Sequence, residues 1–403
     1  MTPSSVVHDI LYSTPVVAST TATWSSDKYS ARSVEIEGDL LKNTGLSFDV
    51  AIIDEAGQLT VPAILGALRL ARRFILVGDE KQLPPLVLSK EAAEAGLADS
   101  LFSFLKCLDE KYMQDHPLAI SACISLRTQY RMNKWIANFS STVFYDRQLV
   151  AHESIADRRL IYKQDADAIN QVPADAINRV PTPQAMNCQT DAINRQTDAI
   201  NQIPADAINW VPTFPPDKSG LVSRTADQAI IRALDPQYPL VFLDVRDELS
   251  EQTAMGGKQS NAEVQVVRDI VANLLARGVD MQDIGIIAPY RAQVANIRRH
   301  LFSADSACSW QGLPSNAPIS VDTVDRFQGG ERLIIIISFA TTREPSVESQ
   351  RYTFLTNSNR LNVALTRAQH KLILVGCVPA LEHLPTFSRL ITYCRSMNTV
   401  IDQ

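Results

Sequence analysis

The sequence lacks several features that mark specialised classes of protein. No apolar run approaches the roughly 18 residues of a membrane-spanning helix, and Leu333–Ile337, among the longest, has the length of a strand. The six cysteines form no Cys-x-x-Cys pair, which argues against a zinc site or a disulfide framework. The first twenty residues contain no lysine or arginine, so no secretory signal is expected. These absences predict a soluble, cytoplasmic protein with no membrane partner.

An excess of positive charge is also missing. The chain has 38 lysines and arginines against 44 aspartates and glutamates, a formal net charge of −6. Binding of nucleic acid by bulk charge is therefore excluded, and any such binding requires a local groove. A length of 403 residues with 45% hydrophobic residues predicts two or three domains with sizeable cores.

Residues 1–116 alternate short apolar runs with helical segments. Phe48–Ile53 and Phe74–Val77 are predicted strands, and Pro62–Leu70 between them has the apolar spacing of a helix. Val16–Ala18 is predicted to be a further strand that ends in a hydroxyl cluster. Hydrophobic strands that alternate with helices indicate a parallel sheet with helices on its faces, and therefore an α/β domain.

Residues 117–403 repeat this pattern around an insertion, and Ile120–Tyr145, before the insertion, is expected to belong to the second sheet. Leu240–Leu243, Ile284–Ile287 and Leu333–Ser338 are predicted strands. Between residues 164 and 217 the tetrapeptide Asp-Ala-Ile-Asn occurs five times, at a period of about eight, in a segment rich in proline and without glycine. We expect a disordered low-complexity insertion in the second domain, with a binding segment as the alternative.

Polar residues follow two of the predicted strands in the first domain. Asp54 and Glu55 come directly after Phe48–Ile53, at the sheet edge where α/β proteins bind ligands. The next strand is followed by Gly-Asp-Glu-Lys-Gln-Leu-Pro-Pro, in which glycine permits a sharp turn and the prolines stiffen the exit around Gln82. The alternatives are acids that favour a helix N-terminus and a purely structural turn.

Taken together, the motifs resemble those of superfamily 1 helicases, in the 5′-to-3′ branch that includes the DNA2/NAM7-like proteins. The family order is followed across both halves of the chain by Asp54-Glu55-Ala56, Gly78-Asp79-x-x-Gln82-Leu83-Pro84-Pro85, Gln129-Tyr130-Arg131-Met132, Ala288-Pro289-Tyr290-x-x-Gln293, Val321-Asp322-Thr323-Val324-Asp325-x-Phe327-Gln328-Gly329-x-Glu331 and Arg360-Leu361-Asn362-Val363-Ala364-Leu365-Thr366-Arg367-Ala368. The resemblance covers nearly everything except the insertion. It implies two RecA-like parallel-sheet domains with an ATP site between them.

The resemblance also implies a role for each residue of that site. Asp54 would hold Mg²⁺ through water, and Glu55 would polarise the attacking water. Gln82 would sense the γ-phosphate, which Arg131 and Arg367 would reach from the second domain. The resemblance places three more residues near ATP: Gln328 by the phosphates, Glu331 on the ribose, and Tyr130 by the base. A buried structural tyrosine is the alternative for Tyr130.

A nucleic-acid surface is implied on the opposite face. The candidates have hydroxyl, amide or aromatic groups that can hold a single strand of DNA or RNA without reading its sequence: Ser19, Thr20, Thr21, Pro289, Tyr290, Asp322 and Thr323. A capped strand end or a turn is the alternative for each. Lys258, Asn261 and Glu263 resemble a weaker family segment, which helix capping explains equally well.

One family element is missing from the sequence. Gly-x-x-x-x-Gly-Lys-Ser/Thr, the loop that cradles the phosphates, occurs nowhere in the 403 residues. The expectation is a truncated first domain with impaired ATP hydrolysis, and with a separate chain as a possible source of the loop. A non-enzymatic nucleic-acid-binding or scaffold remnant is the alternative. A kinase or nuclease fusion is a third hypothesis, which no carboxylate cluster supports.

Overall fold

The computed structural model describes residues 13–26, 48–162, 224–246, 251–254, 257–302, 318–327, 330–342 and 353–402. The Asp-Ala-Ile-Asn insertion and Gln328 lie outside these ranges, so the predictions made for them stay predictions. An α/β fold is confirmed, because parallel sheets flanked by helices account for both halves of the chain. In the described ranges, no helix is both long enough and apolar enough to cross a bilayer.

The first unit, residues 13–26 and 48–115, is built on two parallel strands. β1 (Phe48–Ile53) pairs with β2 (Ala71–Leu76), and α2 (Val61–Leu68) connects them. The short helix α1 (Thr21–Trp24) packs against α2. Only a small cluster is buried between these elements, around Ile64 and Ala56.

Large apolar side chains remain exposed on this small sheet. Ile52 is 70% exposed and Ile75 is 52% exposed, although both lie within strands. Val16–Ala18, predicted as a strand, has no regular structure and pairs with neither strand, so that prediction was wrong. Apolar β-branched residues alone do not make a strand when no neighbouring strand offers its hydrogen bonds.

The second unit contains a six-stranded parallel sheet. Its strands are β5 (Leu240–Asp244), β8 (Ile284–Ile287), β9 (Ser320–Asp322), β10 (Arg332–Ser338), β11 (Ala368–Gly376) and β12 (Val400–Asp402). Their order across the sheet is β12-β5-β11-β10-β8-β9, and every neighbouring pair is parallel. The four central strands are almost wholly buried, as expected for a sheet covered on both faces.

Helices cover both faces of this sheet and form two large cores. One core joins the sheet to α5 (Lys134–Phe144), α11 (Ser358–Leu365) and α13 (Pro385–Ser396). The other joins it to α7 (Arg224–Ala233), α8 (Asn261–Ala276) and α9 (Arg291–Phe302). The remaining α-helices and strands are α3 (Lys90–Ala92), α4 (Leu101–Asp115), β3 (Thr128–Gln129), β4 (Val150–Ala151), α6 (Glu153–Ala156), β6 (Glu251–Ala254), β7 (Gly257–Ser260), α10 (Thr353–Thr356) and α12 (Val378–Glu382).

The stretch that leads into the second unit was expected to join its large sheet. Instead, β3 pairs with β4 in a separate two-stranded sheet, while α5 packs on the large one. Asn133 caps α5, because its side chain accepts a hydrogen bond from the Trp135 amide. The backbone amide of Asn133 donates to the Gln369 carbonyl (2.8 Å), and this bond ties the start of α5 to β11.

The two ends of the described chain around the insertion belong to one core. Leu160 and Tyr162 pack in the same cluster as Ile230 and Leu234 of α7 and its C-terminal end. The Tyr162 hydroxyl donates to the Leu234 carbonyl, and the guanidinium of Arg277 lies 4.9 Å from the centre of the Tyr162 ring. Described residues on the two sides of the insertion therefore contact each other in one core.

The start of α8 contains a buried polar network. Ser260 caps the helix by accepting from the Glu263 amide, and Glu263 is wholly buried. The Glu263 carboxylate accepts hydrogen bonds from the Ser338 hydroxyl (2.7 Å) and from the amides of Ala340 and Thr341 (2.8 Å each). Capping therefore explains the Glu263 amide, whereas the hydrogen bonds of its carboxylate tie the start of α8 to the end of β10 and the residues after it.

Candidate functional site

Two acids leave β1 on a strained turn. The backbone of Glu55 is left-handed (φ 52°), an uncommon conformation for a residue with a side chain. It is held there in part because the Glu55 amide donates to Oδ1 of Asp54 (2.9 Å). Both carboxylates are exposed. The strain costs on the order of 1–3 kcal/mol, and strain of this kind concentrates at functional sites.

The loop after β2 runs directly beside these acids. The Ala56 amide donates to the Val77 carbonyl (2.8 Å), and a side chain at Gly78 would lie 2.8 Å from the Gly57 nitrogen. Only glycine at position 78 therefore permits this approach of the two turns. Between them lies a cleft of about 190 Å³ lined by Asp54, Glu55, Val77, Gly78, Asp79 and Gln82.

Asp79 organises the loop. Its Oδ1 accepts from the Lys81 amide (2.9 Å), and its Oδ2 accepts from Nε2 of Gln82 (3.0 Å) and from the hydroxyl of Tyr145 (2.8 Å). Tyr145 belongs to the second unit and follows α5. A carboxylate that accepts three hydrogen bonds has its orientation set by them.

Helix α11 fastens the same loop to the second unit. Nδ2 of Asn359 donates to the carbonyls of Glu80 (3.1 Å) and Gln82 (2.8 Å), and Nδ2 of Asn362 donates to the Lys81 carbonyl (3.0 Å) and the Tyr145 hydroxyl (2.8 Å). Leu83 adds an apolar anchor, since it is buried in the core that contains α5 and α11. The loop that carries Gln82 is therefore held by both units.

Arg131 enters the site from the second unit. Its Nε donates to the carboxylate of Glu331, and its Nη1 lies 3.4 Å from the Thr366 carbonyl. The Gln129 side chain fixes the backbone here, because its Oε1 accepts from the amides of Arg131 and Met132 (2.8 Å each). Glu331 also accepts a hydrogen bond from Nε2 of Gln369 (2.8 Å), so its carboxylate binds both Arg131 and Gln369. The predicted contact of Glu331 with a ribose stays a prediction.

Arg367 is a buried cation without a counter-ion of its own. The residue is 5% exposed, and its guanidinium makes no hydrogen bond or ion pair to any described residue. Burial lowers its pKa, and the nearby charge of Arg131 lowers it further, while Glu55 and Glu331 raise it. Arg367 thus lies close enough to Glu55 of the first unit for their charges to interact. Two guanidinium groups and an acid of the other unit meet there, which suits an anion with a bound cation.

Tyr130 is placed differently from a structural tyrosine. It is 63% exposed, and its ring stacks on His152 with 4.6 Å between the ring centres. The buried-tyrosine alternative is therefore wrong, because Tyr130 follows β3 and its ring lies at the surface. An exposed, stacked ring offers a flat face to a base.

The nucleic-acid candidates fall into two groups. Pro289 and Tyr290 follow β8, and Asp322 and Thr323 lie at the end of β9; pairing of these strands brings all four to one sheet edge. Asp322 accepts from the Thr323 amide (2.8 Å) and lies 3.5 Å from Arg298. The second group lies in the first unit beside α2.

That second group, Ser19, Thr20 and Thr21, begins α1. Thr20 is its N-cap, since Oγ1 accepts from the Thr23 amide (3.3 Å). Ser19 and Thr20 are exposed, and Thr21 is half-buried. Capping uses the Thr20 hydroxyl as an acceptor and leaves the Ser19 hydroxyl open to solvent. Binding of nucleic acid by either group stays a prediction.

Sequence reasoning missed the residues that join the units. Asp79, Asn359, Asn362 and Tyr145 were not among the candidate site residues. One signal was present: α11 has asparagines at positions 359 and 362, three apart on one helical face, and a buried amide on a helix requires partners. The described residues contain no group of three or more histidine, cysteine or acidic side chains arranged to hold a metal. The position of Asp54 at the cleft is compatible with a metal held through water.

Comparison with known proteins agrees with the motif order. Models of the AAA domain match residues 2–90 and residues 99–379. The DNA replication ATP-dependent helicase/nuclease DNA2 is 32% identical in Bos taurus over 357 residues, which is 88% of this chain and 27% of that protein. The Homo sapiens protein of the same name is 30% identical, again over 88% of this chain and 27% of its own length. This chain thus spans about a quarter of the length of these relatives.

Solved structures show a weak likeness. The structure of PRRSV helicase covers 87% of this chain and 42% of its own, with 12% identity and a TM-score of 0.31. The C-terminal domain of a possible DNA helicase from Lactobacillus plantarum covers 46% of this chain and 98% of its own, at 17% identity and a TM-score of 0.25. Membership rests instead on the AAA domain model, which matches more than half of the chain. With this match and the ordered motifs, the chain belongs to the AAA domain family, among the DNA2/NAM7-like superfamily 1 helicases.

Proposed function

We propose that this chain forms the γ-phosphate side of an ATP-dependent helicase motor that moves along or unwinds nucleic acid. The observation that carries the proposal is the buried guanidinium of Arg367, which has no partner among the described residues and lies beside Arg131 and Glu55. A buried cation left unpaired costs stability unless an anion arrives to pair with it. A terminal phosphate with its metal ion satisfies both arginines and the acids opposite.

The residues present fit Mg²⁺ and a phosphate group. Asp54 and Glu55 would face the metal and the attacking water, while Gln82 lines the same cleft. When bound, Mg²⁺ would neutralise the developing phosphate charge. Arg131 and Arg367 supply the positive charge from the opposite unit, so hydrolysis and the arrangement of the two units are coupled.

Single-stranded nucleic acid is the proposed partner. The four candidates at the β8–β9 edge, together with the exposed hydroxyls at the start of α1, offer aromatic, hydroxyl and backbone groups to a strand. Such groups hold a backbone without reading sequence. Relatives named for DNA replication favour DNA over RNA as the substrate of this chain.

The amides that cradle the β-phosphate are not supplied by this sequence, which lacks Gly-x-x-x-x-Gly-Lys-Ser/Thr. They would come from residues outside it, on the same polypeptide or on a separate chain. Binding of ATP by this chain is therefore expected to be weak and confined to the terminal phosphate. Hydrolysis by the isolated chain is expected to be negligible.

Phosphorus NMR tests this proposal. In a titration of millimolar Mg·ATP with the chain, the γ-phosphate resonance is expected to broaden more than the α-phosphate resonance. Arg367→Ala is expected to weaken binding by about 10- to 100-fold, the worth of a hydrogen bond to a charged group. Arg395→Ala, an exposed arginine paired with Glu382, is the matched control and leaves the broadening unchanged. Equal broadening of all phosphates, or none, would favour the non-enzymatic nucleic-acid-binding remnant.

A further inference from the structure

We propose that Tyr145 is a positioning residue that selects which end of the Gln82 amide faces the acidic cleft. The inference rests on the proposed function, since it concerns the group that would meet the attacking water. It is carried by a chain of hydrogen bonds that runs from α11 of the second unit to Gln82 of the first. None of its links depends on the presence of a nucleotide.

The donors in this chain are fully assigned. Nδ2 of Asn362 has two hydrogens, and it gives one to the Lys81 carbonyl and one to the Tyr145 hydroxyl. The Tyr145 hydroxyl therefore receives one hydrogen bond and has a single hydrogen to give, which goes to Oδ2 of Asp79. Burial raises the pKa of Tyr145, and the charge of Asp79 raises it further, so the hydroxyl remains a donor at every physiological pH.

Asp79 connects Tyr145 to Gln82, because its carboxylate binds both side chains. Its Oδ1 is held by the Lys81 amide, so its Oδ2 points both to Tyr145 and to Nε2 of Gln82. An ionised carboxylate only accepts, and it therefore binds the nitrogen end of the amide and repels the oxygen end. Gln82 lines the cleft, and its Oε1 has no hydrogen-bond partner among the described residues, so this orientation leaves Oε1 free to face the cleft. An acceptor there can hold a proton of the attacking water.

Asn359 keeps the loop in place while this selection operates. Its amide nitrogen gives both hydrogens to the loop backbone, at the Glu80 and Gln82 carbonyls. Asn359 and Asn362 lie on the helix that leads to Arg367. The orientation of Gln82 and the approach of the arginine are therefore fixed by the same element.

The side-chain amide of Gln82 reports on this arrangement directly. In a chain labelled with ¹⁵N at glutamine, Gln82→Glu identifies the Gln82 amide resonances by their loss. Tyr145→Phe removes only the hydroxyl, and it is expected to shift these resonances and to raise their exchange with water about tenfold, as for the loss of one hydrogen bond. Tyr393→Phe is the matched control, because that hydroxyl also donates at 2.8 Å, to the Trp135 carbonyl, away from the loop.

The two variants separate positioning from general stability. Tyr145→Phe removes two hydrogen bonds of a half-buried tyrosine and Tyr393→Phe removes one, so a merely structural role predicts a somewhat larger fall in melting temperature for Tyr145→Phe and no specific change at Gln82 in either variant. Unchanged Gln82 resonances in Tyr145→Phe, or equal changes in Tyr393→Phe, would overturn the proposal. Should Tyr145→Phe not fold, Asp79→Asn must produce the same shift. The measurement needs no ATP, so its failure and that of the γ-phosphate titration are distinguishable.

Discussion

Lys371 makes the stability of the second unit depend on pH. It is 1% exposed, and its Nζ donates to the carbonyls of Asp235 (2.8 Å) and Tyr238 (2.7 Å), just beyond α7. A neutral amine has the two hydrogens that these carbonyls need, whereas an ammonium group brings a third hydrogen and a buried charge. Lys371 lies on β11, four residues after Arg367. Its protonation therefore affects the stability of the strand that directly follows the candidate site.

The size of the effect follows from the pKa. Burial lowers the pKa of Lys371 from 10.5 to about 7; the charge of Asp235 opposes this and that of Arg277 adds to it. Between these values the unfolded chain holds a proton that the folded chain has released, so the free energy of unfolding increases with pH. The full window corresponds to roughly 5 kcal/mol at 1.36 kcal/mol per pH unit. From pH 7.5 to 9.5 we expect an increase of about 2.5 kcal/mol from this group.

Urea unfolding followed by circular dichroism measures this contribution. Lys371→Met keeps the volume and removes the titration, so the difference in unfolding free energy between wild type and variant is the relevant quantity. Burial raises the pKa of Cys377 and of Cys394, the latter to about 12, and both oppose the trend above pH 9 in both proteins. Because both cysteines titrate in the wild type and in the variant alike, their contributions cancel in the difference between the two unfolding free energies. A difference that stays flat from pH 7.5 to 9.5 would refute the reasoning.

Three further outcomes are expected. The purified chain has negligible ATP turnover stimulated by nucleic acid, because it lacks the phosphate loop; robust turnover that Arg367→Ala abolishes would contradict this. Deleting residues 164–217 leaves the melting temperature nearly unchanged, and a loss of several degrees would mean that the insertion packs on the rest. Glu263→Ala leaves three buried donors unpaired and lowers the unfolding free energy by at least about 3 kcal/mol. Glu263→Gln keeps an acceptor and should lose less, and equal losses in urea would argue against the network.

The strands were largely predictable from the sequence. Phe48–Ile53 and Ile284–Ile287 were predicted with the bounds that the structure shows, because short apolar runs bounded by turn residues are typical of buried parallel strands. Ala71–Leu76 begins earlier than the predicted Phe74–Val77. Arg72 and Arg73 hide that start. Both are exposed strand residues, and their charges interrupt the apolar run from which the strand was predicted.

The site was predictable only in part. The acids after β1 and the loop with Gln82 follow from local order, and the structure places both at one cleft. The links between Tyr145, Asp79 and Asn362 join residues as much as 281 positions apart, as in the Asn362–Lys81 bond, and no local pattern contains such pairs. Likewise, nothing in the sequence indicates that Arg131 is bound to Glu331 while Arg367 has no partner in the part of the chain that the structure describes.

The anchoring of Tyr162 beside α7 bears on how this protein can change over evolutionary time. The Tyr162–Leu234 hydrogen bond joins residues 72 positions apart, and residues added between them that make no contacts would change the folding free energy only through loop-closure entropy. That cost grows with the logarithm of length, so gain or loss of one eight-residue copy in a segment of about 60 residues changes it by only about 0.1 kcal/mol. A change in the number of copies is therefore expected to leave the stability of the fold nearly unaltered.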